Sequence, residues 1–271
     1  MLIIMWYLLI LLAVSLAVSG LGWIYFIYFF SIGYGFGIAA LSLTLALLFM
    51  DSVTLPTALL CLIMFVFGCR LGLYLLTREK RSQEYKKILY GPDAAKKKSI
   101  AVTVTVWIFC ALLYVGQVSP VAFFLANKAG GADVNAAWAW AGAAVMACGV
   151  ILEAVSDAVK ASEKKQNPKK FVTRGPYRIV RCPNYLGEVI IWTGSFIVCF
   201  GASCTVWQWI IAVIGYIGIL YVMFSGARRL ELRQKDTYGK DPAFRDYISK
   251  TPILLPFIPI FSLERHKWLQ A

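Results

Sequence analysis

The segment LIIMWYLLILLAVSLAVSGLGWIYFIYFFSIGYGFGIAALSLTLALLFM, residues 2–50, contains no charged side chain. At a rise of 1.5 Å per residue, about 49 helical residues are roughly twice as long as a hydrocarbon core of about 30 Å requires. The segment therefore predicts two membrane spans, which separate near Ser19-Gly20-Leu21-Gly22.

Further apolar segments follow along the 271-residue chain, which is 60% hydrophobic and has a mean hydropathy of +0.70. This composition excludes a water-soluble globular protein. We predict an all-α, polytopic integral membrane protein with seven transmembrane helices. The spans after the first two are predicted at 54–77, 100–126, 134–158, 185–203 and 206–226.

The net charge of +13 is distributed unevenly along the chain. The 27 basic residues, except Arg70 and Lys128, lie in three segments: 78–98, 160–181 and the tail from Arg228 onward. Seven spans place all three segments on one side of the membrane, and the positive-inside rule makes that side cytoplasmic. We therefore predict an external N-terminus, a cytoplasmic C-terminus and attraction to anionic lipids, with no nucleic-acid partner.

Metal and histidine chemistry are not expected. The seven cysteines show no CxxC pairing, and the single histidine, His266, lies in the terminal tail. This composition argues against a zinc site, a disulfide framework and a multi-histidine iron centre. No metal is predicted.

We predict one integrated membrane domain that divides functionally near residue 130, into residues 1–130 and residues 131–271. The two parts differ in their ionisable residues. In LEAVSDAVKASEKK, Glu153, Asp157, Lys160 and Lys164 share one face of a helix. Ionisable residues within a span indicate a functional site by default, and the alternative is ion pairing that only stabilises the bundle.

The segment RGPYRIVRCPNYLGEVIIWTG, residues 174–194, places a second polar group at a membrane edge. Pro183 suits the first turn of a helix, so Asn184 and Glu188 should lie one turn apart on the same face. The segment's three arginines, Arg174, Arg178 and Arg181, could bind an anion. An interfacial anchor would explain the arginines and Tyr177, but it would not explain Glu188.

CPNYLGEVIIWTG resembles the (R)HPNYxGE pattern of the membrane reductase superfamily that includes steroid 5-alpha-reductases, sterol reductases and bacterial relatives. LEAVSD upstream, and SGARRLELRQKDTYG and DYISKTPILLP downstream, extend the resemblance over about residues 150–257. The resemblance implies a cytoplasm-facing NADPH site in residues 131–271 and a lipophilic-substrate cavity in the four spans of residues 1–130. No GxGxxG motif follows a predicted strand, so a Rossmann domain is not expected.

The same resemblance assigns the cofactor contacts by position. The residues expected to bind NADPH are Asp157, Lys164, Asn184, Glu188, Arg229 and Tyr238, with Tyr177, Arg181 and Tyr185 as further contributors. Cys182 stands where relatives have a histidine, so that imidazole contact is absent.

The substrate-side residues depart from the steroid-reducing enzymes, which polarise a ketone with a glutamate and a tyrosine. Phe67 aligns with that tyrosine, and the first three spans contain no glutamate. We therefore take Tyr34, in FFSIGYGFG, and Asp51 as the catalytic candidates. The glycines around Tyr34 could make room for a flat substrate, although small residues in spans more often serve helix packing.

These features predict an NADPH-dependent oxidoreductase acting on CH–CH groups, which saturates a carbon–carbon double bond, conjugated to a carbonyl, in a steroid-like or isoprenoid substrate. Two alternatives remain: an S-adenosylmethionine-dependent carboxyl methyltransferase of the isoprenylcysteine type, and a non-catalytic lipid-binding scaffold. The enzyme is expected to be a monomer in a bacterial cytoplasmic membrane or the endoplasmic reticulum.

Overall fold

The computed structural model describes residues 2–81 and 99–270, with side chains described for 6–78 and 99–270. These residues form α-helices and short 3₁₀ segments, and no strand is found among them. Most of the basic segment 78–98 lies outside the described residues. The helices are α1 (Leu2–Ser19), α2 (Ile32–Leu48), α3 (Leu55–Arg81), α4 (Ile100–Ala129), α5 (Ala136–Gln166), α6 (Pro183–Ile197), α7 (Val206–Tyr238) and α8 (Pro242–Lys250).

The chain is an integral, multi-pass membrane protein. Six segments within the described residues are long and apolar enough to cross a bilayer: Trp6–Trp23, Leu55–Arg78, Ile100–Ala129, Ala136–Gln166, Pro183–Gly201 and Val206–Tyr238. Helices satisfy their own backbone hydrogen bonds, which is required in a bilayer because its hydrocarbon core contains no water to bond these groups. One further apolar helix, α2, has 17 residues. Its length of about 26 Å is shorter than a hydrocarbon core of about 30 Å. Seven spans and the orientation of the termini therefore stay predictions.

The break within the charge-free segment lies where the sequence predicts it. Helix α1 ends at Ser19, and the 3₁₀ segments Gly20–Trp23 and Phe26–Phe30 lead to α2. A Cβ atom on Gly22 would lie 2.1 Å from the Phe29 ring, so this turn requires a glycine. The turn lets two apolar helices follow one another without a polar loop.

The described residues divide into two compact units, and α5, α6 and α7 each contribute to both. Unit 1 comprises residues 1–143 and 195–215. Within it α2 packs closely on α3: a Cβ on Gly35 would lie 2.6 Å from the Gly72 nitrogen, and one on Gly68 would lie 2.5 Å from the Gly35 oxygen. Backbones approach this closely only where side chains are absent. Gly35 of the FFSIGYGFG motif therefore serves helix packing.

Unit 2 comprises residues 144–194 and 216–271. Its helices α5 and α6 are also in close contact, because a Cβ on Gly149 would lie 2.7 Å from the Gly187 oxygen. Helix α6 begins at Pro183, as the sequence predicts. The basic segment 160–181 and the tail touch each other, with Lys164 Nζ donating to the Tyr238 hydroxyl at 2.8 Å. These two basic segments therefore lie on the same side of the membrane.

Cysteine labelling tests the predicted orientation. Ala132 and Ser249 are exposed and are separated by α5, α6 and α7. We expect a membrane-impermeant maleimide to label Ala132→Cys in intact spheroplasts above the background of the parent, and to label Ser249→Cys only after lysis. The reverse pattern would invert the topology. Equal labelling of both variants in intact spheroplasts would mean that these three helices do not all cross the membrane.

Candidate functional site

The polar face predicted on α5 exists as one continuous helical stripe. Glu153, Asp157, Lys160 and Lys164 all belong to the single helix Ala136–Gln166, and the carboxyl groups of Glu153 and Asp157 are buried. Carboxylates in an apolar span are expensive to bury. Their position in unit 2 is fixed by the contact between α5 and α6.

That contact brings the polar residues of α5 and α6 to the same level. A Cβ on Gly187 would lie 2.8 Å from Glu153 Cβ, while a Cβ on Gly149 would lie 2.7 Å from the Ile191 nitrogen. Gly149 thus contacts Ile191, and Glu153, four residues later on α5, contacts Gly187, four residues earlier on α6. The two helices are therefore antiparallel. Continuing the same register by one turn places Asp157 level with the start of α6.

The first turns of α6 carry Asn184, Tyr185 and Glu188, of which Glu188 is buried and the other two are half-buried. Glu188 directly follows Gly187, which packs on Glu153. Tyr185 packs against the next helix, because a Cβ on Gly226 of α7 would lie 3.2 Å from its ring. Glu188 thus lies beside a close helix contact, half-buried Asn184 lies one turn before it on α6, and the register of the two helices puts Asp157 level with the start of α6.

Lys164 and Tyr238, two predicted cofactor contacts, bind each other. The ammonium of Lys164 donates to the Tyr238 hydroxyl at 2.8 Å, to the Lys170 carbonyl at 2.7 Å and to the Pro168 carbonyl at 3.1 Å. An ammonium has three donors, so every donor of Lys164 is already used. Beside Tyr238 lies an open groove of about 510 Å³, which Lys169 and Lys170 help to line.

The three arginines of residues 174–194 have different environments. Arg174 forms an exposed ion pair with Glu163 at 3.2 Å, and Arg178 is exposed. Arg181 is buried, and its Nη2 atom lies 3.5 Å from Glu231 Oε1 and donates to the Phe261 carbonyl. A cofactor contact by Arg181 stays a prediction, and the guanidinium already has an anionic partner.

Glu231 is the residue that the sequence reasoning missed. Its carboxylate also accepts from the Leu263 N–H at 2.8 Å and from Lys235 Nζ at 3.1 Å. The i, i+4 spacing of Glu231 and Lys235 in LELRQK was a visible sign of a carboxylate with a cationic neighbour. Its pairing with Arg181, 50 positions away, has no sequence signal.

Cys182 and Tyr177 lie in the buried connection before α6. Burial raises the pKa of the Cys182 thiol to about 12, against the opposing charges of Arg181 and Lys160. A thiol with this pKa stays neutral and is a poor nucleophile at neutral pH. Tyr177 is buried in the 3₁₀ segment Gly175–Arg178, and its carbonyl accepts from the Tyr247 hydroxyl at 2.7 Å. The Cys182 N–H also donates to the Ile253 carbonyl at 2.9 Å, so both residues help to hold the connection in place.

Arg229 is exposed on α7, one helical turn beyond Gly226, on which Tyr185 packs. Of the cationic side chains predicted to contact the cofactor, Lys164 and Arg181 have the protein partners described above. Lys164 is half-buried and Arg181 is buried, so Arg229 is the most exposed of the three cations predicted to contact the cofactor.

The two catalytic candidates of unit 1 are far apart. Tyr34 is buried near the start of α2, where its ring centroid lies 5.2 Å from that of Tyr114 and 6.2 Å from that of Phe67. Asp51 is exposed in the turn after α2. The helix between them is about 26 Å long, so the two side chains cannot act on one reacting group.

Comparison with known proteins adds a family but no activity. No curated protein and no solved structure gives a significant match to this chain. Residues 29–251, well over half of the chain, match a family described as "Protein of unknown function (DUF1295)". The match begins in the turn before α2 and ends just after α8. The chain therefore belongs to the DUF1295 family.

Proposed function

We propose that the chain is an NADPH-dependent membrane reductase that saturates a carbon–carbon double bond, conjugated to a carbonyl, in a steroid-like or isoprenoid substrate. The observation that carries this proposal is the close contact of α5 and α6 in unit 2, between a helix that carries buried Asp157 and a helix whose first turns carry Asn184 and buried Glu188. Polar groups at this depth are retained at an energetic cost, which a binding role explains and a purely apolar packing role does not.

The residues of unit 2 fit the parts of a dinucleotide. Half-buried Asn184 has both donors and an acceptor for amide or ribose groups, and the carboxylates of Asp157 and Glu188 can accept hydrogen bonds from hydroxyl groups. Exposed Arg229 carries a positive charge that can attract a phosphate, as do Lys169 and Lys170 along the groove beside Tyr238. These side chains would bind and orient NADPH.

Tyr34 is the acid in the proposed reaction. A reduced nicotinamide, when bound, supplies a hydride to the β-carbon of the enone. The phenol of Tyr34 donates a hydrogen bond to the carbonyl oxygen, and a proton that comes ultimately from water is added to the α-carbon, so that the double bond gains one hydride and one proton. Tyr34 packs against Phe67, the residue that aligns with the tyrosine of steroid-reducing enzymes, so its hydroxyl could replace the missing one.

The surroundings of the proposed enzyme follow from its topology. A cytoplasmic face for the basic segments of unit 2 would give the site access to cytoplasmic NADPH. The substrate would reach unit 1 from the lipid. A monomer in a bacterial cytoplasmic membrane or the endoplasmic reticulum is the state that we propose.

One observation favours the methyltransferase as the second candidate. The ammonium of Lys164 is saturated by protein acceptors and Arg181 is paired with Glu231, so two of the cations predicted to bind phosphate are occupied. S-adenosylmethionine needs no phosphate clamp. Buried carboxylates such as Asp157 and Glu188 would suit its cationic centre.

Thermal unfolding with each cofactor tests the proposal. A ligand that binds only the folded state at 100 times its Kd stabilises it by about 2.7 kcal/mol. We expect NADPH to raise the melting temperature of the purified protein, and Asn184→Ala and Glu188→Gln to remove that rise. Asp133→Asn, an exposed change in unit 1, is the control and should keep it.

Stabilisation by S-adenosylmethionine alone would refute the reductase and support the methyltransferase. A response to neither cofactor would instead support the non-catalytic scaffold.

A further inference from the structure

A buried amide in unit 1 has no role in the site described above. Gln117 lies in the middle of α4 and is 3% exposed. Among the residues that the structure describes, neither its side-chain nitrogen nor its side-chain oxygen has a hydrogen-bond partner. A primary amide offers two donors and an acceptor with two lone pairs, so the whole hydrogen-bonding capacity of this side chain is unused.

A buried amide without hydrogen bonds destabilises the protein where its neighbours are apolar. Val115, Val118 and Val121 flank Gln117 along α4 and are buried. Polar groups taken out of water are normally hydrogen-bonded, and the hydrocarbon core supplies no water to replace a missing partner. A leucine of similar size would fill the same position without this penalty.

A second buried glutamine of unit 1 shows how the chain satisfies an amide with a structural role. Gln208 of α7 is also 3% exposed, but its oxygen accepts from the Thr205 N–H at 2.7 Å and its nitrogen donates to Asn127 Oδ1 at 2.9 Å. Asn127 Nδ2 in turn donates to the Gln208 oxygen at 3.2 Å. Gln117 and Gln208 are equally buried, but only the amide of Gln208 has hydrogen-bond partners among the described residues. Gln117 therefore differs from an amide with a structural role.

The neighbours of Gln117 leave its side chain unengaged. The Ser195 hydroxyl is nearby, but it donates to the backbone carbonyl of Gln117 at 2.9 Å. The preceding residue, Gly116, packs on Gly215 of α7, and Tyr114 packs on Tyr34 of α2. At 3.6 residues per turn, Gln117 lies on the arc of α4 between these two contacts.

The position of Gln117 relates it to the proposed acid. Gln117 follows Tyr114 by three residues, a rise of about 4.5 Å on the same side of the helix. The Tyr114 ring centroid lies 5.2 Å from that of Tyr34. The amide of Gln117 therefore lies about one helical turn from Tyr114, whose ring packs on the phenol proposed as the acid.

We propose that the side-chain amide of Gln117 binds the carbonyl oxygen of a lipophilic ligand in unit 1. Its N–H groups donate to the oxygen, and because an amide does not ionise, they do so at every pH in the working range. No proton is transferred by this residue. The proposal deepens the proposed function, on which the enone identity of the ligand rests, by naming the group that recognises the substrate oxygen.

The experiment compares the same substitution at both glutamines. Purified wild type, Gln117→Leu and Gln208→Leu are unfolded thermally, alone and with cholest-4-en-3-one or with cholest-4-ene, the same molecule without the ketone. The acyclic enone pseudoionone and its deoxygenated hydrocarbon form a second pair. We expect the ketone of at least one pair to raise the melting temperature of the wild type more than its hydrocarbon does.

Gln117→Leu should abolish that difference while leaving the ligand-free melting temperature unchanged or raised, by roughly 2–4 °C for each unsatisfied contact removed. Gln208→Leu should lower the ligand-free melting temperature, because it leaves the Thr205 N–H and the Asn127 side chain without their hydrogen-bond partner. In this variant the ketone should still stabilise more than the hydrocarbon. The ligand-free comparison does not depend on the choice of ligand.

Three results would overturn the proposal: equal stabilisation by ketone and hydrocarbon in both pairs, a ketone effect that persists in Gln117→Leu, or a ligand-free loss in Gln117→Leu as large as in Gln208→Leu. Such a ligand-free loss would mean that the amide is paired within the protein. Failure of the reductase proposal is distinguishable, because NADPH would then give no thermal shift while the ketone effect at Gln117 persisted.

Discussion

Gly215→Ala is expected to abolish the folded state of unit 1. A Cβ atom at this position would lie 2.4 Å from both the carbonyl carbon and the oxygen of Gly116, and 2.7 Å from its Cα. These are backbone atoms of α4, so no side-chain rotation can relieve the clash. Overpacking against side chains already costs about 1–3 kcal/mol, and separating two backbones removes the contacts of a whole helix pair. Size-exclusion chromatography should show aggregate in place of a monodisperse peak.

Whether Gly215→Ala lowers or raises the stability shows whether α4 and α7 are in contact at this point. Inside a helix, alanine is intrinsically more favourable than glycine by about 0.8–1 kcal/mol, so without the contact the substitution would stabilise α7. Gly20→Ala is the matched control, because nothing lies within 4 Å of a Cβ built there. It should leave the melting temperature within a degree or two of the parent. A Gly215→Ala protein as stable as the control would show that α4 and α7 do not touch at this point.

The positions of six apolar spans could be predicted from the sequence because the bilayer imposes a simple rule on them. A span needs about 20 apolar residues, and that rule placed the break near Ser19–Gly22, while the preference of proline for a first helical turn placed the start of α6 at Pro183. It also placed the stripe from Glu153 to Lys164 on one helix, because a 3.6-residue period is a local property. The shortness of α2 was not evident, since its flanking 3₁₀ residues are equally apolar.

Partners distant in the chain could not be predicted in the same way. Arg181 was interpreted as part of an anion clamp because two arginines precede it, but burial beside Glu231 distinguishes it from exposed Arg178. Gln117 could not be identified from the sequence, because a single glutamine in an apolar run has no periodic signal. Its significance depends on the absence of a partner among the described residues, which only coordinates can reveal.

Glu231→Ala is expected to give the second-largest effect, a loss of about 3–5 kcal/mol from the free energy of unfolding. The side chains of Glu231 and Arg181 are each 1% exposed, so the substitution leaves a buried guanidinium without its anion. It also removes the acceptor of the Leu263 N–H, which ties the tail to α7. Limited proteolysis should therefore cleave the tail near Leu263 faster than in the parent. Lys235→Met, which removes the partly exposed partner, should cost no more than about 1 kcal/mol.

The paired replacement Arg181→Met with Glu231→Leu separates the structural role of Arg181 from a cofactor contact. Replacing both partners of a buried ion pair by apolar residues of similar volume is often neutral or stabilising, so the double variant should recover most of the stability that Glu231→Ala loses. If Arg181 only positions the tail, the double variant also keeps the thermal shift given by NADPH. If Arg181 binds the cofactor, stability returns but the NADPH shift does not. A double variant as unstable as Glu231→Ala would contradict the pairing itself, because removing the charge at residue 181 would then bring no relief.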